Sequence, residues 1–491
     1  MTNLDDTQPN PVITNEIPAP PRFLLWGIIG LFIMGIIGTL VGIYGFREVL
    51  KPSQQQRVIN NLPFMDAFLP QGEALPTAEP VDQDALDSLL SSPLVISTPE
   101  PTNTDVIDVT EEATQEIITI EDITTEPTEE VTEEAFDTTS ENVVAQISTE
   151  TATLPPTITA TIEPIQPTPA PQTSNRPSNH INTGFVWDQQ DWNNCGPTNV
   201  TMALTFYGWT RDQDYAASII RPEREDKNVS PHELVSFVND YTDLEALWRI
   251  GGDMDILREL IANEIPVIVE AGSMPEGYEW IGHYQTIAGY DDAQQIIYLH
   301  DTFLGANTDN GLIIEDYNTF DNNWQHFNRT FIPIFEPNRT QLVMDILGTR
   351  AEPLSAAEHA YNVAREEATA NPRDGFAFFN MGTALTMLER YEDASTLFDQ
   401  STRLEIPRRM LWYQFGIFEA YFNVGRYEDV LSFVDVNLAN GAEYVEETYY
   451  WQGRVYAMQG RTQDAITAFR TALQRNRNYT AAQEALDEIT S

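Results

Sequence analysis

The sequence predicts a chain of four successive parts: one membrane-spanning helix, an acidic disordered stalk, an α+β domain and an all-α solenoid of repeats. Three observations support this prediction: an uncharged apolar run near the N-terminus, a long segment rich in Thr, Pro and Glu, and a helical motif that recurs every 35 or 36 residues. The boundaries that we infer are 1–22 for a disordered tail, 23–46 for the helix, 47–179 for the stalk, 180–340 for the α+β domain and 354–490 for the repeats.

The apolar run extends from Phe23 to Phe46, which is 24 residues without a charge. A helix that rises about 1.5 Å per residue is roughly 36 Å long over this run, enough to cross a hydrocarbon core of about 30 Å. A signal peptide has a shorter apolar region and a small-residue cleavage site, and neither is evident here. We therefore expect an uncleaved, single-pass anchor that links the protein to a membrane.

The two flanks of this run favour opposite orientations. Arg22 precedes it, whereas Arg47, Lys51 and Arg57 follow it, which favours a cytoplasmic C-terminal side. The stalk composition is typical of cell-surface spacers, and long domains translocate largely regardless of flanking charge. We expect the C-terminal domains to be extracellular, at the cell membrane.

The charge of the chain restricts its partners and predicts the stalk. A net charge of −49 at pH 7 argues against binding of nucleic acid, which needs a basic surface. Between Gln71 and His180, acidic residues accumulate and Arg176 is the only basic residue. Such a segment cannot bury a core, and a flexible coil of about 110 residues has an r.m.s. span of roughly 60 Å. We expect a spacer that holds the following domains away from the membrane.

From about residue 180 the composition becomes that of a globular domain. Helical spacing of apolar residues in "GPTNVTMALTFYGW" predicts a helix that ends near Gly208. The segment "IPVIVEAG" (265–272) is typical of a buried strand. The segments "HYQTIAGYDD" (283–292) and "QIIYLHDTF" (295–303) predict two strands joined by a turn. The domain is therefore expected to be α+β with an antiparallel sheet.

The C-terminal part repeats a helical motif. The segments "MGTALTMLERYEDASTLF", "IFEAYFNVGRYEDVLSFV" and "QGRVYAMQGRTQDAITAF" align without gaps, with equivalent small residues at Ala394, Val430 and Ala465. Gly425 and Gly460 mark a turn between paired helices, and Glu389 takes that place in the first copy. The pattern resembles the tetratricopeptide repeat over about residues 375–480. That resemblance implies a concave surface that binds a peptide or protein partner, with rigid spacing as the alternative.

Cys195 is the only cysteine, so neither an internal disulfide nor a Cys-based zinc site is possible. Its position at the start of the predicted helix favours the thiolate, because the N-terminal end of a helix carries partial positive charge. Nucleophilic catalysis also needs a base, a group that orients the base, and a donor for the oxyanion. His283, at the start of one strand, and Asp301, at the end of the next, are candidates for the first two. Gln189 and Gln190 are both candidates for the donor.

Gln189, the run Cys195-Gly196-Pro197, the run Gly282-His283-Tyr284 and Asp301 together resemble the papain-like cysteine peptidases that process bacteriocin leader peptides, of the stand-alone type. The resemblance covers roughly residues 180–337. It implies a papain-like fold, no cofactor, and a peptide or protein substrate. It also implies Cys195 as nucleophile, His283 as general base and acid, Asp301 as orienting group and Gln189 as oxyanion donor.

The sequence shows a single span and no GxxxxGK[ST] loop, so we expect a surface peptidase rather than an exporter-coupled one.

The residues also allow alternatives. Asp291 and Asp292 are rival candidates for the group that orients His283. His300 should face the other side of its strand, and His232 and His326 lack a comparable context. The alternatives to an active peptidase are an inactive peptide-binding scaffold with the same fold and, less well matched in spacing, a transglutaminase-like enzyme.

Overall fold

The structure, a computed structural model, describes residues 22–69, 72–96, 176–275 and 279–491. The predicted tail before Arg22 and residues 97–175 of the predicted stalk lie outside the described residues. The strands are β1 Asn179–Ile181, β2 Glu245–Ala246, β3 Val267–Ser273, β4 Ile281–Asp291, β5 Ile296–His300, β6 Leu312–Asp316 and β7 Phe331–Phe335.

The helices before the repeats are α1 Arg22–Tyr44, α2 Pro52–Asn61, α3 Gln83–Ser91, α4 Cys195–Thr205, α5 Gln213–Ile220, α6 Pro231–Tyr241, α7 Met254–Ala262, α8 Tyr317–Gln325 and α9 Thr340–Leu347. The helices of the C-terminal part are α10 Pro353–Ala370, α11 Gly375–Met387, α12 Tyr391–Arg403, α13 Gly416–Asn423, α14 Tyr427–Ala439, α15 Glu446–Met458, α16 Thr462–Arg475 and α17 Thr480–Thr490.

Helix α1 coincides with the predicted span. The segment Gly30–Val49 is 20 residues long with a mean hydropathy of 1.6, and by length and composition it is able to cross a membrane. Large apolar side chains on it are exposed, Trp26 and Phe32 each at 70%. An apolar helix that buries little within its own chain suits either a membrane anchor or a signal sequence.

The segment 72–96 is ordered, although the sequence predicted disorder over the whole of 47–179. Asp82 caps the N-terminus of α3 by accepting the backbone N–H groups of Asp84 and Ala85. Helix α3 then buries Leu86 and Leu89 in the same apolar core as the first repeat helices. We call residues 72–96 the strap. Helix α2 and the strap are therefore structured, although the sequence analysis placed them within the disordered stalk.

The α+β domain is built on the antiparallel sheet that the sequence predicted. The strand order is β2-β7-β3-β4-β5-β6, and the short β1 pairs with β4. The predicted strand at 265–272 is β3, and the predicted hairpin is β4 and β5. The long strand β4 lies at the centre and is buried over almost its whole length. It therefore provides a rigid support for any side chain that it carries.

Two apolar cores cover the two faces of this sheet. Helix α4 packs on one face, where Val200, Ala203 and Leu204 are fully buried with Tyr284 of β4. Helices α7, α8 and α9 cover the other face, with Trp324 fully buried among the strands. Burial of apolar surface on both faces fixes the position of the first residue of α4 relative to β4.

The C-terminal helices form successive antiparallel pairs, as the motif predicted. The equivalent positions Phe398, Val434 and Phe469 are all fully buried. Glu389, Gly425 and Gly460 have φ values of 58°, 79° and 71°, so the turn between paired helices has the same left-handed conformation in each copy. The all-α repeat architecture is confirmed.

The repeats pack directly against the α+β domain. Asn380 of α11 donates to the Gln325 carbonyl and accepts at its own carbonyl from Asn328. At the other end of the repeats, Asn478 donates to the carbonyl of Ile219. The repeat domain and the α+β domain thus form one folded unit.

Candidate functional site

Cys195 is the first residue of α4 and is half-buried. Burial raises the pKa of its thiol, but the hydrogen bond and the charge of His283 outweigh that effect. Backbone hydrogen bonds from Tyr284 and Gly196 act in the same direction. The resulting pKa of Cys195 is below its usual value. The local environment therefore favours a thiolate, the form that attacks carbonyl carbons.

His283 is the third residue of β4 and is buried, at 7% exposure. Its Nε2 lies 3.0 Å from Oδ1 of Asp301, which leaves Nδ1 as the ring nitrogen for Cys195. Burial lowers the pKa of His283, but the charge and hydrogen bond of Asp301, followed by those of Cys195, raise it to about 10. With this raised pKa, His283 is a charged imidazolium between the Asp301 carboxylate and the Cys195 thiolate.

Asp301 follows the last residue of β5 and is fully buried. Its Oδ1 accepts the backbone N–H groups of Phe303 and Leu304 at 2.7 and 2.6 Å. Its Oδ2 accepts from Nε2 of Gln285 at 2.8 Å. Burial raises the pKa of Asp301, but the charge of His283 and these donors hold it well below its usual value. The carboxylate is therefore fixed in place and ionised.

The rival carboxylates lie elsewhere. Asp291 accepts the backbone N–H groups of Ala293 and Gln294 in the turn after β4. Asp292 forms an ion pair with Arg258 of α7. The structure thus brings Asp301, and neither of these two residues, to His283.

The two candidate glutamines have different surroundings. Oε1 of Gln190 accepts from the Thr302 hydroxyl at 2.8 Å, and its backbone N–H donates to the Thr302 carbonyl. The Gln189 side chain is exposed, and its backbone carbonyl accepts from Gln213. Gln190 therefore connects the loop before Cys195 with Thr302, the residue after Asp301. The side-chain amide of Gln189 is instead exposed to solvent.

His300 and His326 have structural contacts. Nδ1 of His300 lies 2.9 Å from the Asn310 carbonyl. Nδ1 of His326 accepts from the Trp280 indole at 3.1 Å. Burial lowers the pKa of each below the usual histidine value, to about 4 for His326. Both are therefore neutral at physiological pH.

Asn199 is a buried polar residue that the sequence reasoning missed. Its Nδ2 donates to the carbonyls of Cys195 and Tyr284 at 2.9 and 2.8 Å, and its Oδ1 accepts from Thr286. It joins the first turn of α4 to β4 and so fixes the thiol relative to His283. The available signal was an asparagine one turn after Cys195, within a helix whose other residues are apolar or small.

Arg221 is a second buried residue near the nucleophile, at 5% exposure. Its guanidinium donates to the Trp192 carbonyl and to Oδ1 of Asn194, the residue before Cys195. It also donates to backbone carbonyls at 223, 224 and 226. The buried guanidinium of Arg221 thus holds the loop before Cys195 in place by hydrogen bonds. No local sequence pattern indicated this role.

Glu270 of β3 places a buried carboxyl group near the thiol. It pairs across the sheet with Tyr284, and the two side chains are hydrogen-bonded. Burial, followed by the negative charge of Cys195, raises the pKa of Glu270 well above its usual value. A protonated Glu270 adds no charge that would oppose thiolate formation.

Comparison with known proteins agrees with the two resemblances. Residues 181–332 match the model of the Peptidase C39-like family, and residues 446–479 match that of the tetratricopeptide repeat. Both resemblances inferred from the motifs are thereby confirmed. No curated protein matches this chain.

Two solved structures are similar in part. One is a putative C39-like peptidase from Bacillus anthracis, with 17% identity and a TM-score of 0.27, which covers 32% of this chain and 98% of that one. The other is the peptidase domain of Streptococcus ComA, a bifunctional ABC transporter involved in quorum sensing. It has 15% identity and a TM-score of 0.25, and covers 31% of this chain and 99% of that one.

Proposed function

We propose that this chain, which carries a C39-like peptidase domain followed by tetratricopeptide repeats, is a membrane-anchored cysteine peptidase. Cys195, His283 and Asp301 form its catalytic triad. The observation that carries the proposal is the hydrogen-bonded series from Cys195 through His283 to the fully buried Asp301. It supplies a nucleophile, a proton carrier and an orienting carboxylate in contact, as acyl transfer requires.

In the proposed mechanism the thiolate of Cys195 attacks the carbonyl carbon of a peptide bond. The tetrahedral oxyanion receives hydrogen bonds from the Cys195 backbone N–H and the Gln189 amide, and one such donor contributes about 10²–10³ in rate. The His283 imidazolium gives its proton to the departing amine as the C–N bond breaks. Water then attacks the thioester, His283 takes up its proton, and the carboxylic acid product leaves while the thiolate is regenerated.

The proposed site of action is the outer surface of the cell membrane, with α1 as the anchor. The substrate is a peptide or protein, and the repeats provide a surface for a protein partner. Protease treatment of intact cells, followed by a blot for the C-terminal half, tests the orientation. Loss of the C-terminal half is the expected result, and full protection would place the domains on the cytoplasmic side.

The test of the catalytic proposal is Cys195→Ala in the full chain in membranes, with a peptide library as substrate. We expect hydrolysis to fall to background, because the thiolate is the attacking group. Hydrolysis that survives this change would contradict the mechanism.

A second measurement separates an enzyme from an inactive peptide-binding scaffold. Rapid labelling of Cys195 by iodoacetamide should be lost in His283→Ala and retained in the control His232→Ala, which replaces an exposed histidine. Slow labelling that does not depend on His283 would favour the scaffold.

A further inference from the structure

The strand that carries His283 is held by the repeat domain where the strand begins. A short 3-10 helix, Arg408–Trp412, leads to Tyr413 between the first two repeats. The Tyr413 ring lies against Gly282, where an added Cβ would come within 3.1 Å of Cδ2 and Cε2 of the tyrosine. The backbone of Gly282 also donates a hydrogen bond to the Tyr413 hydroxyl. Gly282 directly precedes His283 in the chain.

Further contacts surround this point. The Trp280 ring packs edge-to-face with Tyr413 and stacks on Phe327, with ring centroids 6.0 and 5.7 Å apart. Arg408 and Arg409 each form an ion pair with Glu279 at 2.9 Å. Contacts at residues 279, 280 and 282 thus attach the start of β4 to the repeats.

We propose that Tyr413 is a positioning residue for His283, so that the repeat domain is part of the catalytic unit. This proposal rests on the proposed function, since it assigns Tyr413 a role in the same site. Without the hydroxyl the Gly282 N–H loses its acceptor, and the start of β4 is free to move. His283 then loses its fixed contact with Cys195. Because that contact favours the thiolate, the thiol should ionise at higher pH.

The experiment compares Tyr413→Phe in the full chain with Tyr449→Phe. The control also loses a hydroxyl hydrogen bond within the repeats, to the Glu443 carbonyl. The rate of Cys195 alkylation by iodoacetamide is measured against pH. For Tyr413→Phe the acidic limb should move to higher pH, and a rise of about one in the pKa of the thiol makes labelling on that limb about tenfold slower. The control should overlay the unmodified protein.

Two outcomes separate this proposal from the proposed function. If Tyr413→Phe folds by circular dichroism and its alkylation profile does not move, the role of Tyr413 is disproved even if peptide hydrolysis occurs. If the profile moves but no peptide is hydrolysed, Tyr413 positions His283 and the peptidase assignment fails. Tyr413→Ala, which also removes the ring, should move the profile further.

The strap supports a second inference, which is independent of catalysis. Side chains of the repeat domain bind backbone atoms along its length. Asn362 of α10 exchanges two hydrogen bonds of 2.8 Å with the backbone N–H and C=O of Leu94. The Tyr361 hydroxyl donates to the Leu89 carbonyl at 2.8 Å, and Arg403 donates to the Glu79 carbonyl.

The chain just after α1 also contacts the folded unit. The backbone N–H and the hydroxyl of Ser53 both donate to the buried carboxylate of Glu225. Nζ of Lys51 lies 3.8 Å from Oε1 of Glu223, and the two form an ion pair. The part of the chain nearest to the proposed anchor is therefore bound to the peptidase domain and, through the strap, to the repeats.

We infer that the strap and residues 51–53 are the mechanical connection between the anchor and the catalytic domains. The segment 97–175 then joins two points of one folded unit and does not act as the spacer that the sequence suggested. Cutting the chain within 97–175 should leave the C-terminal fragment bound to the membrane, because the strap remains attached to it.

The experiment inserts a cleavage site for a sequence-specific protease within 101–175 of the full chain, in membranes. After complete cleavage, most of the fragment 176–491 should sediment with the membranes. Leu89→Asp, which places a charge in the strap contact, should release it into the supernatant. Ser88→Asp, on the exposed side of the same helix, should not release it.

Release of the unmodified protein upon cleavage would disprove the role of the strap. If the uncut protein is absent from the membrane fraction, the anchor itself is disproved and the strap connects nothing to a membrane. Neither result depends on peptidase activity.

Discussion

Asp301 determines the charge state of the site, because its carboxylate is buried, ionised and bound to His283. It raises the pKa of His283, and the charged His283 in turn lowers the pKa of Cys195. The ion pair should exist between these two pKa values, above that of Cys195 and below about 10. Activity should fall on the acidic side as the thiolate is protonated, and on the alkaline side as His283 loses its proton.

Asp301→Asn should narrow this pH range from both sides. A neutral amide no longer stabilises the imidazolium, so the alkaline limb should move to lower pH. The weaker positive charge on His283 should move the acidic limb to higher pH. We expect kcat/KM at the optimum to fall by about a hundredfold or more, the usual contribution of a positioned acid–base group. The pH–rate profile measures both limbs.

The control for this variant is Asp291→Asn, in the turn after β4. It removes a carboxylate of the same domain that does not contact His283, and its profile should match that of the unmodified protein. An unchanged alkaline limb in Asp301→Asn would contradict the role assigned to Asp301.

At the scale of secondary-structure elements, periodic patterns made the fold predictable. The helix that begins at Cys195, the buried strand and the hairpin were each visible from local spacing. The repeats were recognisable because Gly425 and Gly460 mark a turn that requires positive φ. Glu389 adopts the same conformation without being glycine, so the fold of the pair imposes it against local preference.

The order of Cys195, His283 and Asp301 at the ends of elements made the candidate triad predictable as well. Arg221 and Tyr413 were not predictable, because their roles depend on contacts between segments distant in sequence, and for Asn199 only its place one turn after Cys195 was a signal. The strap was missed for another reason: two buried leucines in an acidic segment are too weak a signal in composition. Its order depends on the surface that the repeats provide.

At the scale of the whole molecule, three buried acidic groups and one half-buried one lie where the α+β domain meets the repeats. The buried groups are Asp226 of the α+β domain and Glu446 and Glu447 at the start of α15, and the half-buried one is Glu233 of α6. Burial is the main cause that raises the pKa of each, to about 8 for Glu233, and repulsion from neighbouring acids adds to it for all but Glu446. Burial at this interface therefore favours the protonated form of these acids.

This interface should weaken as the pH rises. The folded chain retains protons that the unfolded chain releases above the usual glutamate pKa of 4.5. The contribution of these acids to the free energy of unfolding is therefore greatest below that value and falls as the pH rises towards about 8. Glu447→Gln should make this decline shallower, by up to about 1.4 kcal/mol per pH unit, the value for one proton. Thermal unfolding of both proteins at pH 5, 6.5 and 8 measures how steeply stability declines with pH.

The amide that replaces the carboxyl group in this variant retains an acceptor for Asn228, which Oε1 of Glu447 supplies at 3.0 Å. The control is Glu428→Gln, on an exposed position of α14. A decline as steep in Glu447→Gln as in the unmodified protein would show that Glu447 does not exchange a proton on unfolding.

The attachment of the strap also bears on how this protein tolerates change over evolution. Ile96 and Arg176 both belong to the folded unit, and residues 97–175 connect them in the sequence. Doubling a closed loop adds only about 0.6 kcal/mol to its closure cost. Related chains should therefore differ widely in the number of residues here, while the short stretch between the apolar helix and the strap keeps a nearly constant length.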